Sequence, residues 1–470
     1  INSATSGGSL STATIDRTYT FTLGDTGKLN VLVSNTGVAL KDFIEGTETP
    51  QYLSYSINEN MDLDYTTAIG TTAGRTTPVT LDLFINNDAK LIANGTKEYD
   101  GITVADGYTL NISSNADHKG TIKNFNTALA VNDGGTLKVS DMNISNNTTG
   151  VSNSGTLTLN NVNFSGNATD VSNAGTLNLT GENTFGSKIT GTTGTVTNSG
   201  TLNINATNLD IVLTNNNILN LGEGTLDKAV TGEGTITTTG DVTSIASYLG
   251  NAVTNTGHKL TLTGDATTGI LASNISGGNV TIGGIVSTNG KTISSDITVN
   301  DGATLISNLA NLTGTVENNG IFNMSATELT KNITGSGKTV LDTNTKLTAD
   351  RTIAGTLDMN GKTVDMQAEP TKSEEFTTLT VGSISNSVAG NIKLDTNMET
   401  ASNDKINITS GANNSGTLNL SAINVTAGHD KQAGTYDNYL TYLTGTTDNL
   451  TLTINSATSG GSLSTATIDR

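Results

Sequence analysis

This sequence predicts an all-β chain, a parallel β-helix (β-solenoid) with an additional, more aromatic β module at its ends. Near-copies of one short motif recur 20 to 25 residues apart, apolar residues alternate with polar ones inside each copy, and clusters of Asn and Gly separate the apolar runs. A period of two with one buried face belongs to strands. Copies at a near-constant period belong to solenoids.

The motif is clearest in VNDGGTLKV from Val131, VSNSGTLTL from Val151, VSNAGTLNL from Val171 and VTNSGTLNI from Val196. Aligned, the copies give an apolar column of Val131, Val151, Val171 and Val196 and a second of Leu137, Leu157, Leu177 and Leu202. Val139, Leu159, Leu179 and Ile204 form a third. Asp133, Asn153, Asn173 and Asn198 share the position before a turn that holds Gly135, Gly155, Gly175 and Gly200. Weaker copies start at Val253, Val299, Val316 and Asn413.

Three short strands and three corners use about twenty residues, one rung of such a helix. Stacked rungs bury the columns as ladders and satisfy each other's backbone hydrogen bonds. Asn and Gly suit the corners because both tolerate a left-handed backbone, and a stacked Asn column adds an amide ladder. A β-sandwich also alternates, but its strands are not copies of one another in register. A propeller blade needs about forty residues and a stronger aromatic signature.

The chain divides into residues 1–95, a β-rich junction module; 96–367, the β-helix core; 368–453, a β-rich end that continues the solenoid or joins the module; and 454–470. The strands of TYTFTLGDTGKLNVLVSN, TPVTLDLFIN and YDNYLTYLTGTTDNLTLTIN are longer and more aromatic than those of the core. Pro50, Pro78 and Pro370 lie outside the clear copies, as paired central rungs require. The run AEPTKSEEF from Ala368 marks a break. Residues Ile454–Arg470 repeat Ile1–Arg17 without a change, an offset of 453. That identity predicts covalent tandem repeats, with both ends lying inside something longer. The alternative is a strand donated to a neighbouring subunit, weakly anchored by Leu10 and Ile15.

Composition excludes several classes. Hydrophobic residues at 34% and charged ones at only 14% argue against disorder. With no Cys there is no disulfide framework, thiolate nucleophile or Cys-ligated metal. A net charge of −19 argues against nucleic acid as a partner and keeps a polar surface soluble. No apolar run reaches eighteen residues, so no membrane insertion is expected within this segment, and neither a signal peptide nor an initiator Met is present.

GTLNLTGENTF, Gly175–Phe185, resembles the autotransporter-associated β-strand repeat, and NVNFSGN, Asn161–Asn167, resembles the Phe-x-x-Asn repeats of polymorphic outer-membrane proteins. The stretch Ala389–Val425 is similar to one late in autotransporter passengers, where a strand, an SDKI-like turn and a GTLNLS strand follow each other. The resemblance spans residues 120 to 430. It implies a right-handed β-helix, secreted or surface-exposed on a bacterium. It does not extend to a translocator barrel, so export route and anchor stay open.

β-Helix enzymes that cut polysaccharides need paired carboxylates, or an acidic Ca²⁺ cluster beside a basic residue, in a groove with sugar-stacking aromatics. With no Trp and 4% aromatics, no catalytic, cofactor or metal site is expected, and the chain is not expected to be an enzyme. Asp62 and Asp64 are the best carboxylate pair and read as solvated acids on one strand; Asn403–Lys405 reads as a turn. His118, His258 and His429 are scattered. GEGTLDKAVTGEGT from Gly222 lacks the Gly-Lys-Ser/Thr of a phosphate loop. Sequons at Asn143, Asn163 and Asn449 are of the kind an Asn- and Thr-rich chain makes by accident.

The function this predicts is structural: a repeat unit of a long extracellular bacterial surface fibre, whose partners are copies of itself. An adhesin that contacts other cells or surfaces is the alternative from a different class. A non-covalent filament subunit, joined by its terminal segment, is the third.

Overall fold

Strands form wherever the sequence alternates. In Thr156–Asn160 (TLTLN), Leu157 and Leu159 are fully buried between half-buried polar residues, and Thr176–Thr180 (TLNLT) repeats the pattern one rung on. A computed structural model describes residues 32–34, 52–57, 61–63, 67–69, 79–85, 89–93, 100–264, 268–367, 375–397, 400–426 and 441–459. Beyond strands, the described residues hold only three single-turn 3-10 segments, Ala206–Asn208, Ala246–Tyr248 and Leu309–Asn311. Two compact units emerge, residues 1–242 with 248–252 and residues 243–247 with 253–470.

Unit one is a parallel β-solenoid with three strand stacks. One circuit runs through Thr149–Asn153, Thr156–Asn160 and Asn163–Ser165, after which Thr169–Asn173 lies parallel on Thr149–Asn153. The stack that contains Thr156–Asn160 has ten strands, from Leu32–Ser34 to Val230–Thr231. Its buried ladder runs Leu81, Leu110, Leu137, Leu157, Leu177, Val196, Leu213 and Val230, each in register with the next. The stack that contains Thr149–Asn153 has seven strands, from Thr67–Ile69 to Leu209–Asp210. In the third stack the rings of Phe164 and Phe185 lie face to face, centroids 4.8 Å apart.

Unit two continues the principle with looser periods. Ile275–Ile282, Ile293–Val299, Val316–Asn318, Ile333–Thr334, Arg351–Asp358, Thr378–Ile384, Lys405–Ile408 and Leu443–Gly445 pair in sequence. Ile285–Ser287, Thr304–Asn308, Ile321–Ser325 and Lys338–Leu341 form a second run. Thr363–Asp365, Gly390–Asn397, Thr417–Thr426 and Thr451–Ser459 form a third. Among the described residues one strand ladder is antiparallel, Gly390–Asn397 with Ser402–Asn403.

The described parts of the aromatic-richer ends belong to these ladders. Tyr52–Ile57 and Val79–Ile85 pair in parallel with each other, and Val79–Ile85 pairs with Tyr108–Ser114 across the expected boundary at 95. Arg351–Asp358 pairs with Thr378–Ile384 across the run that starts at Ala368. Backbone pairing therefore spans both expected breaks. Residues 1–17 and 460–470 lie outside the described residues.

The corners divide their work differently from the sequence expectation. Left-handed backbone falls at Asp141 (φ 58°), Asn161 (φ 57°) and Gly181 (φ 61°), a column after the leucine strands. It does not fall at Gly135, Gly155, Gly175 or Gly200. Those glycines are set by closeness: a Cβ on Gly175 would stand 2.1 Å from the Gly155 carbonyl oxygen of the rung below, and one on Gly155 would stand 2.3 Å from the Gly135 oxygen.

Candidate functional site

The sequence-derived columns meet the structure in two ways. Val151 pairs with Val171 and Asn153 with Asn173, while Leu137, Leu157 and Leu177 stack in order. The Asn153 amide donates to Asn173 Oδ1 at 2.7 Å inside the corner. Val131, however, pairs with Asn153, because Leu129 takes the place opposite Val151. Asp133 is exposed in a wider turn. The fourth copy sits one stack further round. Val196 pairs with Leu177 and Leu213, Asn198 with Leu179 and Asn215, and Leu202 with Asn183 and Leu219. The cause is the 25-residue spacing after Val171. The short strand Lys188–Thr190 fills the stack where Val196 was expected, so the motif slides on by one strand.

A second amide ladder escaped the sequence reading. Phe125 N–H donates to Asn147 Oδ1 (2.9 Å), and Asn147 donates through its N–H (2.8 Å) and its amide (2.9 Å) to Asn167 Oδ1. Asn167 passes its amide to Asp170 Oδ1 at 2.9 Å. Burial holds Asp170 above the ordinary carboxylate range against hydrogen bonds from Asn167 and Ser187. The signal was present as Asn147 and Asn167, 20 residues apart.

Outward positions carry the surface chemistry. Thr109, Thr136, Thr156, Thr176 and Thr195 stand in register on unit one, a row of hydroxyls and methyls. Unit two differs. Its run of paired strands places Ile285, Thr304, Ile321 and Lys338 in one outward row and Ile270, Ser287, Ile306, Asn323 and Val340 in the next. Ile270, Ile285 and Ile321 are 50%, 43% and 41% exposed. The row that ends at Lys338 leads into an open cleft of about 440 Å³ lined by Ser336, Gly337, Lys338, Thr356, Ser385, Asn413 and Asn414. The lining offers hydroxyls and amides, and Lys338 is its one ionisable group. Lys338 Nζ lies 2.7 Å from the buried carboxylate of Asp358. Burial works to raise Asp358, but Lys338 and the N–H groups of Ser387 and Asn360 outweigh it and hold the carboxyl below its ordinary range. The cleft can hydrogen-bond a polar ligand; its lining holds no acid–base pair for proton transfer.

The turn expected at Asn403–Lys405 hides a buried carboxylate. Asp404 Oδ1 accepts from the Thr377 N–H (2.7 Å) and hydroxyl (3.2 Å), and Oδ2 accepts from the Asp395 N–H (2.7 Å). Burial pushes Asp404 up to about 6; the Thr377 and Asp395 donors oppose this, and the Asp395 charge adds to it. No group of three or more His, Cys, Asp or Glu side chains among the described residues could hold a metal. Asp64 and His429 lie outside the described residues. No described helix is long and apolar enough to cross a membrane.

The stretch that holds Asp358, Asp404 and most of the cleft lining decides the relationship. Residues 354–460 match the Pertactin family model. Over that stretch the chain is similar to an autotransporter-passenger β-helix in sequence as well as in fold. No curated protein matches the chain.

Proposed function

We propose that this chain is part of an autotransporter-type passenger that works at the bacterial surface as an adhesin, without catalysis. The observation that carries the reading is the Pertactin match over residues 354–460, on the unit whose outward isoleucine row runs into a polar cleft. Exposed apolar side chains rimmed by hydroxyls and amides suit contact with another surface. Display of the chain on a non-adherent bacterium tests this: attachment to epithelial cells or to neighbouring bacteria rises, and Ile285→Asn with Ile321→Asn lowers it. Attachment no higher than that of an undecorated strain sinks the adhesin reading.

One observation favours a second reading, a fibre built from tandem repeats: the seventeen residues Ile1–Arg17 recur unchanged as Ile454–Arg470. Sizing the native polypeptide under denaturing conditions tests it. A chain of many times 48.2 kDa is expected, and a band near that mass rules tandem repeats out.

A further inference from the structure

The second copy of the repeated segment is described as far as Ser459. It begins inside a strand, Thr451–Ser459, that lies parallel on Thr417–Thr426 at the end of the third run of unit two. Four registered pairs fall within the copied letters: Leu420 with Ile454, Ala422 with Ala457, Ile423 with Thr458 and Asn424 with Ser459. Three more, Thr417 with Thr451, Leu418 with Leu452 and Asn419 with Thr453, precede them. Parallel pairing is made by backbone groups, and register is set by which side chains fit the neighbouring strand. A segment with the same letters meets the same backbone donors and the same neighbours. Ile1–Ser6 is that segment, residue for residue.

We propose that the edge of Thr417–Thr426 is a docking site for Ile1–Ser6 of a second copy of this chain, which joins copies head to tail by strand addition. In the docked register Ile1 lies opposite Leu420, Ala4 opposite Ala422, Thr5 opposite Ile423 and Ser6 opposite Asn424. The chain's own strand Thr451–Ser459 holds this edge, so the incoming segment enters when that strand lifts away. The inference is independent of adhesion, and it differs from covalent tandem repeats in joining separate chains.

The chain has no cysteine, so an introduced pair reports on this contact alone. Parallel neighbours in register stand about 4.8 Å apart, within the Cα span a disulfide accepts. Full-length chain carrying Ala4→Cys and Ala422→Cys is oxidised and run on a denaturing gel without reductant. The expected result is a shift from monomer to a ladder of dimers and larger species, reversed by reductant. Ala457→Pro, which weakens the chain's own edge strand, strengthens the ladder. A control keeps Ala4→Cys and moves the second cysteine to Thr158, whose neighbours in register are Lys138 and Asn178. A ladder of equal strength in the control overturns the proposal. So does oxidation confined to the monomer band, which means the segment folds back on its own chain. So does the absence of a ladder both with and without Ala457→Pro, with strand content by circular dichroism checked in each variant.

Discussion

The two units bury polar groups in different currencies. Unit one stacks neutral amides: Asn147 on Asn167, Asn153 on Asn173, Asn198 on Asn215 at 2.7 Å. An amide both donates and accepts, so one rung's side chain can serve the next without accumulating charge. Unit two buries three acids, Asp358, Asp395 and Asp404, where unit one buries Asp170 at the end of an amide ladder. A carboxylate only accepts, and two close together repel, so these cannot be copied rung after rung. Each buried acid needs donors of its own, as Asp358 has in Lys338 and Ser387 and Asp404 has in Thr377. Repetition is thus open to neutral chemistry and closed to buried charge. Unit one carries the regular repeat, and unit two carries most of the sensitivity to pH.

The comparison can be broken most forcefully in the repeat. Phe164→Ala removes one of the two stacked rings of unit one and is expected to cost about 4 kcal/mol, read as a lower urea midpoint for that unit. A loss below about 1 kcal/mol would mean that a rung relaxes alone and that stacking is not what holds the repeat.

Next in size is the pH response of unit two. Asp404 sits above its ordinary value, so the folded unit takes up a proton before the unfolded chain does. Lowering the pH from 7 through about 6 towards 4 therefore stabilises unit two. The rise from 3.8 to about 6 corresponds to a gain of about 3 kcal/mol at most. Asp358 acts in the opposite sense. Its value is lowered, so its contribution is present above the ordinary carboxylate range and is lost as the pH falls through the lowered value. Asp404→Asn should flatten the gain between pH 6 and 4 and leave the loss in stronger acid, as followed by thermal melts across pH. A gain that survives the substitution would assign it to another group.

Smaller effects sharpen the contrast. Gly175→Ala places a methyl against the Gly155 carbonyl and is expected to cost about 2 kcal/mol; a neutral result would show that the rungs can part locally. Thr156→Ser trims one outward methyl from the hydroxyl row and should change stability by less than about 0.5 kcal/mol, seen as an unshifted melting temperature.

The alternation of Leu157 with Leu159 and the recurrence of GTL made strands, rungs and the leucine ladder legible in the sequence, because burial with period two writes itself into letter order. Face assignment was less legible. Val196 and Leu202 look like the fourth members of their columns, yet a core that accepts Val, Leu or Ile in every stack leaves no letter to tell one stack from another. The role of Gly175 was misjudged for a related reason: Gly answers both to positive φ and to close approach, and only the neighbouring rung says which. Asp404 was hidden by its flanks, since Asn-Asp-Lys has the composition of an exposed turn and its donors, Thr377 and Asp395, lie 27 and 9 residues away. The exposed isoleucine row of unit two went unseen because its members belong to separate rungs.

The slide of the motif at Val196 has a consequence for how such a chain can change over generations. Within unit one, the added length between Val171 and Val196 does not interrupt the ladder; it re-indexes it, so that the same letters face a new direction while the interior stays filled. Insertion of one strand with its corner therefore works as a phase adjustment, and in-frame slippage in a repetitive gene becomes a means of re-aiming surface side chains while the fold survives. Variation in such a lineage should accumulate as changes of spacing as readily as changes of letter.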